Sequence, residues 1–126
     1  MTLGLVAVAV GATFGAWLRW ALGVLLNARS ETWPLGTLAA NLLGGFLVGI
    51  AIAFFAARPG IDVAWRLFVI TGFLGGLTTF SSFSAEVVSL LASGEYVAGM
   101  LLCGAHLAGS LVLTALGIAA FRAIAA

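Results

Sequence analysis

Four long apolar runs, separated by short polar clusters, divide the chain. The runs cover about residues 3–26, 35–57, 64–91 and 96–121. Arg58-Pro59-Gly60 ends the second run, because proline removes a backbone donor and glycine permits a turn. A membrane-spanning helix needs about 20 mostly apolar residues. The pattern therefore predicts an all-α integral membrane protein with four transmembrane helices in a single domain, residues 1–126.

Composition supports a location in lipid. The chain is 63% hydrophobic and 7% charged, with a mean hydropathy of +1.26, so solvated groups could not cover its surface. The net charge of +1 is too small to form a basic nucleic-acid-binding surface, and nucleic acid is not an expected partner. A single cysteine, Cys103, cannot form an intrachain disulfide. The first run lacks a basic leader and continues into a full span, which argues against a cleavable signal peptide.

The arginines give little indication of orientation. The predicted spans place Arg58, Arg66 and Arg122 on one side and Arg19 and Arg29 on the other. This bias fits a modest preference for a cytoplasmic amino terminus, and it equally fits insertion in both directions. Insertion in both directions would supply the two partners of an antiparallel dimer. Four helices alone also enclose little interior, so oligomerisation is expected.

Small residues recur four apart in three of the runs, a spacing that lets membrane helices approach closely. Together these pairs predict a tightly packed bundle: Gly11/Gly15, Gly45/Gly49 and Gly72/Gly76.

The third run contains the most unusual segment. Three glycines and two β-branched threonines between Gly72 and Thr79 weaken the helix, and a break is predicted halfway through the membrane. Backbone groups freed there must be satisfied by protein, water or ions. Carbonyls of Gly75 and Thr78 would suit a hard cation such as Na⁺, whereas freed amides and hydroxyls would suit an anion.

Polar side chains lie within the other runs. Asn41, one turn after Thr37, predicts either a contact between helices or a wet pathway. His106, Ser110 and Thr114 follow at four-residue steps and form one stripe. The two hydroxyls could equally bond back to their own helix, and a neutral, satisfied histidine is a simpler interpretation than a metal ligand.

Two phenylalanines and two charged residues have alternative interpretations. Phe80 and Phe83 share a helix face and either pack in the core or turn their electropositive edges toward an anion. Glu86 is either a proton-coupling acid or an acceptor for neighbouring hydroxyls. Arg19, between two tryptophans, is either an interfacial anchor or a charge that draws anions to a vestibule.

Three segments of the chain form distinctive motifs: Gly15-Ala-Trp-Leu-Arg-Trp20, Gly36-Thr-Leu-Ala-Ala-Asn41 and Gly72-Phe-Leu-Gly-Gly-Leu-Thr-Thr-Phe-Ser-Ser-Phe-Ser84. These segments resemble the Fluc family of bacterial fluoride channels, also called CrcB proteins, and the resemblance covers essentially the whole chain.

The resemblance implies an antiparallel, dual-topology homodimer in the bacterial inner membrane, with two fluoride pathways that both chains build. It implies a structural Na⁺ on the dimer axis, held by carbonyls of Gly75 and Thr78. It also implies a set of pathway residues: Phe80, Phe83, Asn41 and Ser110, with Thr114 and Glu86 as further contributors.

The expected function is passive, fluoride-selective export without enzymatic chemistry. One alternative is a small proton-coupled exporter of the dual-topology type. That alternative needs a titratable acid deep in the first helix, and the first run contains none. A membrane scaffold that transports nothing is the other alternative, but it would leave Asn41 and the predicted break unexplained.

Overall fold

The computed structural model describes all 126 residues, and all of its regular structure is helical. Helix α1 (Thr2–Leu26) is followed by a 3₁₀ turn (Asn27–Arg29), and α2 (Leu35–Ala57) comes next. The third span, Val63–Ala92, is divided into α3 (63–77) and α4 (Phe80–Ala92), and α5 (Tyr96–Ala125) completes the chain. Four spans are long and apolar enough to cross a membrane, which confirms the prediction of a multi-pass membrane protein. Helix α5 continues past its predicted end at Phe121.

Side-chain oxygens organise two of the connections between spans. Asn27 Oδ1 accepts the Gly36 N–H at 2.7 Å and thereby ties the end of α1 to the start of α2. Asp62 Oδ1 accepts the Ala64 N–H at 2.7 Å, which is the usual way an acidic residue caps a helix amino terminus. In the last connection Gly94 has a φ of 83°, a conformation that favours glycine.

The glycines lie where helices approach most closely. A Cβ at Gly11 or Gly15 would collide with α3 backbone, and Gly72 and Gly76 in turn lie against α1 backbone. On the other side of the bundle, a Cβ at Gly49 would meet the Thr114 carbonyl, and one at Gly117 would meet the Phe46 carbonyl. The predicted small-residue pairs therefore form two helix–helix contacts, α1 with α3 and α2 with α5.

Most of the apolar surface faces outward. Only 18 of the 126 residues are buried, and large apolar side chains such as Trp20, Val97 and Leu111 are more than half exposed. Two small cores hold the bundle together. Leu74 and Leu77 anchor one beside α1 and α2, and Phe83 with Leu102 anchors the other between α4 and α5. An outward apolar surface of this extent requires lipid or a partner chain.

The third span is irregular before it is interrupted. Residues Leu67–Leu74 have π-helical hydrogen bonding, and Gly75–Leu77 return to an α-helical turn. Thr78 (φ −84°, ψ 153°) and Thr79 (φ −149°, ψ 123°) are then extended, and α4 begins at Phe80. We call these two residues the helix break. It falls where the glycine- and threonine-rich segment predicts it, and its depth in a bilayer remains a prediction.

Candidate functional site

Thr79 starts the second half of the divided span. Its Oγ1 accepts the Ser82 N–H at 3.2 Å, so Thr79 is the amino-terminal cap of α4. In an unbroken helix that N–H would reach the carbonyl of Thr78. The cap therefore frees the Thr78 carbonyl from its helical donor.

Asn41 of α2 bonds both backbone groups of Thr79. Its Oδ1 accepts the Thr79 N–H at 2.7 Å, and its Nδ2 donates to the Thr79 carbonyl at 2.9 Å. The Thr79 N–H would serve the Gly75 carbonyl in a continuous helix, so this contact also frees a carbonyl. Asn41 Nδ2 lies 2.9 Å from His106 Nδ1 on α5 as well. One amide thus connects α2, the helix break and α5.

Arg19 of α1 bonds the last turn of α3 before the break. Its Nε donates to the Gly76 carbonyl at 3.0 Å. In a continuous helix that carbonyl would accept from Phe80, which is now the first residue of α4. Arg19 therefore compensates one of the hydrogen bonds that the interruption removes.

An open groove of about 470 Å³ runs along the break, and we call it the phenylalanine groove. Neutral groups and two phenyl rings line it, together with His106 and Thr79. It brings together seven of the residues predicted from sequence: Asn41, Gly75, Thr78, Phe80, Phe83, Ser110 and Thr114. Thr114 Oγ1 donates to the Gly45 carbonyl at 2.9 Å, so its hydroxyl joins α5 to α2.

The two phenylalanines differ sharply in exposure. Phe80 is 72% exposed and Phe83 is 5% exposed, and their rings meet edge to face with centroids 5.4 Å apart. Phe83 also packs against the His106 imidazole, with centroids 4.5 Å apart and planes inclined by 33°. Phe83 is consequently a core residue that also lines the groove, whereas the Phe80 ring is exposed on the open side of the groove.

Arg19 and Glu86 lie outside the phenylalanine groove. Arg19 lines a second opening of about 370 Å³, the arginine groove, with Asn27, Thr37, Thr79 and Ser82 among its other residues. Glu86 Oε1 accepts from Thr37 Oγ1 at 2.6 Å, and its other oxygen is buried without a partner in the chain. Thr79 lines both grooves, so this one residue of the helix break lies between them.

Sequence reasoning missed the part that Thr79 plays. The residue caps α4, binds Asn41 and borders both grooves, yet it was counted only as a helix-weakening threonine. A threonine placed just before a new helix is a known capping signal, and that signal was available in Thr79-Phe-Ser-Ser82. The Asn41–His106 contact had no comparable local signal, because 65 positions separate its members.

These features define a small polytopic membrane protein whose uncharged polar groups gather at an interrupted helix. The family model described as CrcB-like protein, Camphor Resistance (CrcB), matches residues 6–118. This chain belongs to the CrcB family.

Three relatives of this chain carry the same name. A protein of Ralstonia pickettii (strain 12J) named "Fluoride-specific ion channel FluC" is 60% identical over 115 residues, covering 91% of each chain. Proteins with the same name from Ralstonia nicotianae and Cupriavidus metallidurans are 56% and 55% identical and cover 97% and 98% of each chain. Since these relatives are named as ion channels, the comparison supports the prediction that the chain is not an enzyme.

Proposed function

We propose that this chain forms a passive, fluoride-selective channel that exports fluoride across the bacterial inner membrane. The observation that carries the proposal is the phenylalanine groove beside the helix break, in a chain whose relatives are named as fluoride-specific ion channels. The groove offers hydroxyl groups and phenyl edges without a fixed positive charge.

Such a lining suits a small, strongly hydrated anion. Taking a bare ion into a medium of low dielectric constant costs on the order of tens of kcal/mol, so replacement contacts must be numerous. They must also be weak enough to release the ion, because conduction requires exit as well as entry. Hydroxyls and the electropositive edges of Phe80 and Phe83 meet both requirements. Ser110 continues the polar lining along α5. Thr114, whose hydroxyl hydrogen is donated to the Gly45 carbonyl, shapes that lining from α5, as Asn41 does from α2.

The arginine groove would serve as a vestibule. Arg19 supplies positive charge that raises the local concentration of anions, and Thr37 and Ser82 supply hydroxyls beside it. Thr79 borders this opening and the phenylalanine groove, so an anion passing between them would cross at the helix break. Glu86 lies one hydrogen bond from Thr37 and would contribute to the pathway as an acceptor that orders this hydroxyl.

A second copy of the chain would complete the pathway. The phenylalanine groove is open along one side, and Phe80, Leu107 and Leu111 expose apolar surface around it. The five arginines are divided nearly evenly between the two ends, with Arg58, Arg66 and Arg122 at one end. A weak charge bias permits insertion in both orientations, and we therefore propose an antiparallel, dual-topology homodimer embedded in lipid.

The residues at the break fit a structural Na⁺ ion between the two chains. Gly75 and Thr78 lose their helical donors to Asn41 and to the Thr79 cap, which leaves two carbonyl oxygens without those donors in residues that line the open groove. Hard cations take oxygen ligands, and two such carbonyls from each chain would give four. Bound Na⁺ would fix the two breaks against each other. Replacing Na⁺ with N-methylglucamine should lower the midpoint of thermal unfolding of the purified dimer.

A fluoride-electrode assay on reconstituted liposomes tests the function. Vesicles loaded with potassium fluoride should lose fluoride rapidly once valinomycin allows charge balance, and vesicles loaded with potassium chloride should retain chloride. Fluoride retention equal to that of protein-free vesicles would contradict the proposal. Equal loss of both anions would contradict selectivity.

Topology has an independent test. In a Cys103→Ala background, Ser93→Cys places the sole thiol in the exposed connection before α5. An impermeant maleimide applied to intact cells should label about half of the chains, because equal insertion both ways puts half of these loops outside. Labelling of all chains, or of none before lysis, would overturn dual topology.

A further inference from the structure

The orientation of the Asn41 amide is fixed by backbone chemistry. A peptide N–H only donates and a carbonyl only accepts, and Thr79 presents both groups to this one side chain. The amide oxygen must therefore face the N–H, and the amide nitrogen must face the carbonyl. This removes the usual ambiguity between the two ends of an asparagine amide.

That orientation determines which nitrogen of His106 carries the proton. One Asn41 hydrogen is donated to the Thr79 carbonyl, and the other points at His106 Nδ1, 2.9 Å away. Nδ1 must then accept, so the proton of the neutral ring lies on Nε2, which is buried without a hydrogen-bond partner in the chain. A doubly protonated ring would set one N–H against another at this contact.

His106 is positioned to transmit this constraint to the phenyl rings. The side chain is 3% exposed, and its ring packs on Phe83, which contacts Phe80 edge to face. A series of direct contacts therefore runs from Thr79 through Asn41 and His106 to both phenylalanines.

We propose, on the basis of the function proposed above, that Asn41 and His106 are positioning residues that hold the helix break open. Both hydrogens of the Asn41 amide are already donated within the chain, so Asn41 borders the pathway without donating to the ion. His106 acts through Nδ1, which holds the amide in the orientation that bonds Thr79. Without that partner a buried Asn41 N–H is unsatisfied, and rotation of the amide would release the Thr79 N–H toward the Gly75 carbonyl.

Two substitutions of His106 separate this role from direct contact with the ion. Asparagine places its Oδ1 near the position of the histidine Nδ1, whereas glutamine extends its amide toward the position of Nε2. His106→Asn should keep fluoride efflux within about threefold of wild type, and His106→Gln should lower it about tenfold, the effect expected when a buried donor loses its partner. The reverse order would show that Nε2 is the functional atom and would overturn the proposal.

The only histidine in the chain provides a measurement that does not depend on transport. The ¹⁵N spectrum of protein labelled at histidine should show one neutral ring with a protonated Nε2 and an unprotonated Nδ1. Asn41→Asp replaces the donor with a carboxylate, which should move a proton onto Nδ1, whereas Cys103→Ala on the same helix should leave the spectrum unchanged. Wild-type Nδ1 protonation overturns the proposal.

The two measurements together distinguish the possible failures. Wild-type vesicles that hold fluoride would refute the channel function, whatever the spectrum shows. Active wild-type protein with the wrong tautomer would refute the positioning role alone. If both His106 variants were inactive, the ¹⁵N spectra of wild type and Asn41→Asp would decide whether His106 is a positioning residue.

Discussion

Arg19 Nε donates to the carbonyl of Gly76 across 3.0 Å, and 57 positions separate the two residues. The contact lies at the point where α3 carbonyls lose their helical donors, so the arginine stabilises the break as well as placing a positive charge at the arginine groove. A hydrogen bond from a charged donor contributes about 1.5–3 kcal/mol when its partner would otherwise be unsatisfied.

Arg19→Gln should therefore lower the midpoint of thermal unfolding and reduce fluoride efflux. Arg29→Gln is the matched control, because Arg29 is exposed and bonds only the carbonyl of Leu25, four residues earlier, at 3.3 Å. Differential scanning fluorimetry in detergent and efflux from liposomes measure the two effects. If Arg19→Gln reduced fluoride efflux without lowering the unfolding midpoint, Arg19 would act only through its charge and would not stabilise the break.

The phenyl rings of the groove should be required for conduction. Phe80→Ile and Phe83→Ile keep apolar bulk but remove the electropositive ring edge, and each should lower fluoride efflux at least tenfold, since the loss of weak replacement contacts raises the dehydration barrier. Phe83→Ile should also destabilise the fold, because Phe83 is buried, whereas Phe80→Ile should not.

Phe14→Ile is the control for both variants. Phe14 lies on α1 outside both grooves, half exposed and in edge contact with Trp17. Its efflux should match wild type. Equal fluoride efflux from Phe80→Ile, Phe83→Ile and Phe14→Ile would show that Phe80 and Phe83 are not part of the pathway.

The contact between α2 and α5 is so close that adding a single methyl group should destabilise the protein. A Cβ at Gly49 would overlap the Thr114 carbonyl and lie 3.0 Å from the Ile118 nitrogen. Gly49→Ala should cost about 1–3 kcal/mol of unfolding free energy, the range for overpacking. Gly104→Ala, on open surface of α5, should not lower the unfolding midpoint, because a Cβ there meets no other atom and alanine is the better helix former. Equal midpoints for both variants would show that the bundle adjusts without cost.

Glu86 tests the alternative of proton coupling. Glu86→Gln keeps an oxygen that accepts from Thr37 Oγ1, so the fold should be preserved while the titratable group is removed. In a passive channel the variant and the wild type should show the same dependence of fluoride flux on external pH. A proton gradient that drives uphill fluoride movement in wild type, and fails to do so in Glu86→Gln, would establish a coupled exporter instead.

Local features of the sequence predict the spans and the helix break. Runs of 20 or so apolar residues admit few other structures, and the glycines and threonines between Gly72 and Thr79 weaken any helix that contains them. A shared site for Phe80, Phe83, Ser110 and Thr114 is implied only by the resemblance to the Fluc family, and the phenylalanine groove brings these residues together.

The contacts that hold the site depend on helix packing and could not be predicted locally. Asn41 meets Thr79 only because α2 crosses the break, and Arg19 meets Gly76 only because glycines let α1 approach α3. For Glu86 the sequence allows an acceptor for neighbouring hydroxyls, which the bond from Thr37 bears out, but it does not identify Thr37 as the partner or place Glu86 outside the phenylalanine groove.

The open side of the phenylalanine groove has a consequence for subunit assembly. A solitary chain in a bilayer would leave acyl tails against Phe80 and Leu111, so the proposed pairing would have to expel lipid from the surface that we propose admits halide. Lipid would thus compete with a second subunit for one face. At very low protein-to-lipid ratios the conductance per chain should fall, because solitary subunits would then outnumber pairs.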